Sequence, residues 1–97
     1  MLSVGSQTDI FLVAGVTDLR RSFNGLTAIV QGELDGDPTS GAIYVFTNRR
    51  RNRVKTHHFD GSGLWVCAKR LERGTFSWPE SDEKSISMST EELTLLL

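Results

Sequence analysis

"RVKTHHFDGSGLWVCAKRL", residues 53–71, decides the fold. Two runs rich in β-branched and aromatic residues, 53–59 and 64–71, flank Asp60-Gly61-Ser62-Gly63. Gly61 and Ser62 suit the two central positions of a type II′ turn, whose twist matches that of paired strands. Asp60 then faces Gly63, which sets Arg53 opposite Arg70 and Lys55 opposite Ala68. Side chains alternate along a strand, so residues 53, 55 and 70 share one face. An antiparallel hairpin with a charged open end follows.

The chain leading into that end is "NRRRNRVK", residues 48–55. Loop 48–52 enters the first strand where turn 72–74 leaves the second. Arg49, Arg50, Arg51, Arg53, Lys55, Arg70 and Arg73 therefore crowd one end of the sheet, with Lys69 close by on the other face. The protein as a whole is slightly acidic, with 11 basic and 12 acidic residues. The charge is divided along the chain. Residues 1–48 hold two basic against five acidic residues, a net −3. Residues 49–73 hold eight against two, a net +6. Residues 74–97 hold one against five, a net −4. Like charges so close repel, and only Glu72 is at hand to neutralise them unless the acidic loop 79–83 folds back. An external polyanion is the better account of the cluster. A solvated tip and an acidic protein partner are the alternatives. Trp65, Phe76 and Trp78 lie near enough in sequence to stack on bases, but core packing is the expected job of each.

Farther out, "IFLVAG" (10–15) reads as a buried strand and "AIYVFT" (42–47) as another. "TDLRRSFNGLTAIVQGEL" (17–34) reads as an amphipathic helix, with Leu19, Phe23, Leu26, Val30 and Leu34 on one face and Thr17 as N-cap. The competing reading is a turn at Asn24-Gly25. "DGDPTSG" (35–41) is a loop. "TFSW" (75–78) is expected to be a fourth strand of the meander, "PESDEKS" (79–85) a solvated loop, and "ISMS" a candidate short strand. Ser89-Thr90-Glu91-Glu92 has capping-box spacing and opens a short final helix. The fold class is α+β: an antiparallel sheet, mainly a meander, with one amphipathic helix packed on it and a short C-terminal helix. The 97 residues are expected to form one domain, 1–97.

Several chemistries find no residues to carry them. His57 and His58 are adjacent in a strand and point to opposite faces, so they cannot share a metal. No glycine-rich loop carries the phosphate-cradling lysine. Asp9, Asp60 and Glu72 could in principle make a metal-binding carboxylate set, but Asp60 is better read as a turn residue and Glu72 as a turn or ion-pair residue. No cofactor and no catalytic residue are expected. The single cysteine, Cys67, reads as a small core residue and suits a reducing cytoplasm. "IFLVA" is too short to cross a bilayer, and "MLSVGSQTD" shows no signal peptide.

The motifs "TDLRRSFNGL", "GAIYVFTNRRRNRVK", "DGSGLWVCAKRLERGTFSWP" and "MSTEELTLLL" resemble, in that order, the small TnpB accessory protein of the IS-66 class of bacterial insertion sequences. The resemblance runs from about residue 8 to residue 97. It implies a helper in transposition that works beside a separate, larger transposase, and it brings no catalytic residues. With the basic cluster it points to DNA at the element's ends as a partner. Arg49, Arg50, Arg51, Arg53 and Lys55 would contact phosphates, aided by Lys69, Arg70 and Arg73. Arg20 and Arg21 are a second candidate pair. The alternative function is an adaptor that docks on the transposase without touching DNA.

Overall fold

The computed structural model describes residues 8–97. The reading of the opening stretch as free of a signal peptide lies largely outside them. Five strands form one sheet: β1 (Ile10–Val13), β2 (Ile43–Thr47), β3 (Arg53–Phe59), β4 (Leu64–Arg70) and β5 (Ser85–Met88). Their order across the sheet is β4-β3-β2-β1-β5. The hairpin follows the register set by its turn: Arg53 pairs with Arg70, Lys55 with Ala68 and Phe59 with Leu64. Gly61 has φ +101, a conformation that favours glycine, and the Asp60 N–H donates to the Gly63 carbonyl at 3.0 Å.

The sheet is mostly antiparallel, but β1 and β2 run parallel. A parallel pair needs a crossover connection, and the helical segment supplies it. That segment is α1 (Phe23–Ala28) continued by a π-helical turn, Ile29–Glu33. It starts later than the expected residue 17. The Thr17 N–H donates to the Thr47 carbonyl at 2.8 Å, so the chain there still runs along the end of β2. Ser22, not Thr17, precedes the first helical residue. Asn24 and Gly25 lie inside the helix, so they form no separate turn. Leu26, Ile29 and Val30 are buried on the sheet, while Phe23, at the helix start, is 50% exposed. The wide π turn brings Gly36 against Tyr44, where a Cβ would collide with the phenol hydroxyl.

The sheet is covered on both faces. One core holds Val13, Leu26, Val30, Tyr44 and Phe46 under α1. The other holds Ile10, Leu12, Ile43, Val45 and Val54 under Phe76, Trp78 and Leu93. Leu93 belongs to α2 (Thr90–Leu96), which opens with the capping box: the Glu92 N–H donates to Ser89 Oγ and the Ser89 N–H to Glu92 Oε1.

Residues 75–78 are not a strand. Because β4 and β5 are opposite edges, the chain from 71 to 84 must cross the whole sheet, and it does so on the α2 side. Phe76 and Trp78 face inward, 4% and 6% exposed, and this gives the period-two pattern that mimicked a strand. The segment bonds to scattered groups instead of a ladder. The Phe76 N–H donates to the Arg51 carbonyl at 2.7 Å, and Trp78 Nε1–H to the Val13 carbonyl at 3.0 Å. Burying each ring contributes about 1.5–3 kcal/mol. Trp65 departs from the expected core role. It is 40% exposed and donates to Asp60 Oδ2 at 2.8 Å. Cys67 is only partly buried.

Candidate nucleic-acid interface

The strand directions sort charge by the ends of the sheet. The carboxyl ends of β1 and β2, the start of β3, the end of β4 and the start of β5 lie together. Arg20, Arg21 and Arg49–Arg53 sit at this end with Arg70, Arg73 and Lys84, and Lys55 and Lys69 lie within two residues of it along their strands. Asp18, Glu72, Glu80, Asp82 and Glu83 are there too, which leaves a net +6. The opposite end carries Asp9, Glu33, Asp35, Asp37, Asp60, Glu91 and Glu92, a net −7 with no basic side chain. Charge blocks that are separate in sequence become two poles of one molecule.

At the basic pole two loops face each other across a cleft of about 820 Å³. One wall is residues 16–20. The other holds Asn48, Arg49, Arg50, Asn52 and Arg53. The second loop is fixed by asparagines. Asn48 Oδ1 accepts the N–H groups of Asn52 and Arg53, each at 3.1 Å, and Asn48 Nδ2 donates to Asn52 Oδ1 at 2.7 Å. These bonds hold the turn so that Arg49 and Arg50 project from its tip. A smaller cleft of about 340 Å³ adjoins the first and shares Arg53 and Leu19 with it. Its lining includes Lys55, Lys69, Arg70 and Glu72.

The eight arginines and lysines singled out in the sequence are not equivalent. Among the described residues the ion pairs are Asp18–Arg20 at 2.7 Å and Arg70–Glu72 at 3.4 Å. Arg49, Arg50, Arg53 and Arg73 thus have no carboxylate partner, and the first three line the large cleft. Arg53 stands opposite Arg70 in the ladder, a like-charge pair that costs stability. Arg51 turns the other way. Its backbone is left-handed, φ +55, and its Nη1 donates to the Trp78 carbonyl at 3.2 Å, beside Pro79 and Glu80. Lys55 Nζ donates to the Arg21 carbonyl at 2.9 Å, pinning the first wall against β3. Lys69, on the α2 face, donates to the Leu97 carbonyl. Arg73 is exposed in the turn 71–74.

Sequence reasoning named Arg20 and Arg21 as a second candidate pair on the expected helix, but missed that residues 16–20 form a wall facing the arginine loop, and missed the two asparagines. The spacing Asn48-x₃-Asn52 around a basic run was the available signal, because asparagine side chains readily cap their own turns. At the acidic pole, Asp60 accepts from Ser62 N–H, Gly63 N–H and Trp65 Nε1–H, which holds its carboxyl well below the usual range. Asp60 is thus a turn residue. His57 is fully buried beneath α1, with Nε2 3.0 Å from Thr27 Oγ1, and burial pushes its pKa down. Among the described residues no His, Cys, Asp and Glu group of three or more could hold a metal ion. No described helix is long and apolar enough to cross a membrane.

Fold and cleft together define a small α+β protein with an arginine-lined groove at one pole of its sheet. The chain belongs to the IS66 Orf2-like proteins, the TnpB_IS66 family, whose model matches residues 8–97. Two relatives come from Sinorhizobium fredii (strain NBRC 101917 / NGR234). Uncharacterized protein y4jC is 39% identical over 88 residues, covering 91% of this chain and 75% of its own. Uncharacterized protein y4hO is 35% identical over 97 residues, covering 100% and 84%. No solved structure matches the chain. The family makes this an insertion-sequence-associated accessory protein.

Proposed function

We propose that the protein is a non-enzymatic accessory factor of transposition that binds DNA by the phosphates, through the basic pole of its sheet. The observation that carries the reading is the cleft whose walls bear Arg20, Arg49, Arg50 and Arg53, three of them without a counter-ion. Unpaired arginines held near one another repel, and a phosphodiester backbone relieves that repulsion while releasing condensed counterions. Arg70 and Arg73 extend the contact along β4. Lys55 rests on the neutral Arg21 carbonyl and Lys69 on the Leu97 oxygen, and both remain able to trade these for phosphate. Arg51 supports the loop through Trp78. Phe76 and Trp78 are buried, and the exposed Trp65 is bonded to Asp60 at the acidic pole, so none of the three offers a base a stacking surface at the basic pole, which favours duplex over single-stranded DNA. Contacts of this kind position a protein without reading sequence. The partners in this reading are the element's ends and its separate transposase, in the cytoplasm.

The test is fluorescence anisotropy with a duplex of the element's end, with and without the transposase, over a salt series. The reading expects binding by the isolated protein that weakens steeply with salt, and no strand cleavage with magnesium or manganese. Binding that appears only when transposase is present would replace it with the adaptor reading, in which the arginines meet an acidic protein surface.

A further inference from the structure

The cleft contains one carboxylate, Asp18, and it is already engaged. Asp18 Oδ1 accepts Arg20 Nε–H at 3.0 Å and the Arg20 backbone N–H at 3.1 Å, while Oδ2 accepts Nη2–H at 2.7 Å. This is the two-pronged grip that a guanidinium gives a phosphate. The wall that carries the pair is anchored at both ends, by Thr17 N–H on the Thr47 carbonyl and by Lys55 Nζ on the Arg21 carbonyl. The pair itself is open to water, with the Arg20 side chain 91% exposed. Exposed pairs of this kind are weak and screened by salt, so an anion of higher charge can displace the carboxylate.

We infer that Asp18 is a built-in competitor for the groove: it occupies the Arg20 fork in the free protein and yields it to a backbone phosphate when a polyanion binds. This rests on the DNA-binding reading above and adds Arg20 to the contact as a side chain held in reserve. The device tempers affinity. An anion recruits Arg20 only if it brings a phosphate to this wall while also engaging Arg49, Arg50 and Arg53 across the cleft. The Arg20 bond holds the Asp18 carboxyl down at about 2, so it stays ionised at any working pH and competes throughout.

The test is Asp18→Asn. An asparagine oxygen still accepts the Arg20 backbone N–H, so the turn is kept while the charge is removed. Binding to duplex DNA should tighten at 50 mM salt. The salt slope should stay that of the wild type, because Arg20 neutralises the same phosphate in both bound states. Adding Arg20→Ala should flatten the slope by about 0.9, so that the fall in affinity between 50 and 200 mM shrinks about 3.5-fold. Weaker binding by Asp18→Asn would instead make Asp18 a positioning residue for Arg20, and unchanged affinity would remove it from the site; either overturns the inference. A second arm is independent of DNA. Tripolyphosphate is titrated into nitrogen-15-labelled wild-type protein while the Arg20 Nε–H signal is followed by NMR. A shift that saturates, at lower concentration in Asp18→Asn, is expected. A signal that stays still in both proteins overturns the exchange. Wild-type protein that binds no duplex but shows the Arg20 shift would sink the DNA reading and leave the exchange standing.

Discussion

Replacing Arg49, Arg50 and Arg53 together with alanine should remove DNA affinity while leaving the fold intact. Arg51 is deliberately spared. The three chosen side chains line the cleft, have no carboxylate partner and sit on an exposed loop and strand end. Surface substitutions of this sort change stability by about 0.5 kcal/mol or less each, and losing the Arg53–Arg70 opposition is expected to stabilise slightly. If each arginine neutralises one phosphate, the slope of log K against log salt should flatten by about 2.7. Between 50 and 200 mM salt, the wild type should then lose about 40-fold more affinity than the variant does. The assay is anisotropy with a labelled duplex at four salt concentrations, with circular dichroism and a urea melt as the folding control. A triple variant that folds and keeps the wild-type affinity and slope would refute the argument.

Other substitutions probe the scaffold. Arg51→Ala should cost about 1.5–3 kcal/mol in urea unfolding, since it removes a charged bond to the Trp78 carbonyl and keeps the left-handed backbone. Arg51→Gly should cost about 1 kcal/mol less, because glycine tolerates φ +55, and equal losses would argue against strain there. Ser89→Ala should cost about 1 kcal/mol by opening the capping box; an unchanged melt would mean α2 adds little to stability. His57 has its folded pKa lowered below 6.5 by burial, and Thr27, Tyr44 and His58 are the polar groups beside it. The unfolded chain takes the proton first, so stability is full above pH 6.5 and falls as pH drops through the folded value. The slope approaches about 1.4 kcal/mol per pH unit. His57→Leu should flatten that slope in urea melts at pH 5 to 7, and an identical profile would assign the pH dependence to another group.

The parts of the fold that were legible in sequence are those fixed by short-range chemistry. Gly61-Ser62 set the hairpin register because a two-residue turn leaves no freedom to slip, and the whole pairing from Arg53–Arg70 to Phe59–Leu64 followed. Ser89 and Glu92 marked the start of α2 because a capping box is a local pair of bonds. The parallel pairing of β1 with β2 was not legible, since nothing within either strand records the direction of its neighbour. The late start of α1 depends on the Thr17–Thr47 bond, a contact across 30 residues. "TFSW" has the alternation of a strand because the sheet face beneath it demands it, not because a ladder does. The convergence of the basic residues was readable from the register. The turning away of Arg51, the two-walled cleft and the Asp18–Arg20 pair were not, because each depends on which loops lie side by side at the pole.

The central claim is that DNA meets this protein at the basic pole and nowhere else, and a chemical-shift footprint tests it most directly. A duplex of the element's end is titrated into nitrogen-15-labelled protein at 50 mM salt and the backbone amides are followed. The account predicts shifts concentrated at residues 16–21, 48–53 and 69–73, with residues 35–37, 60–63 and 91–92 at the acidic pole unmoved. Absence of any shift, or shifts centred on the acidic pole or spread evenly over the sheet, would contradict it.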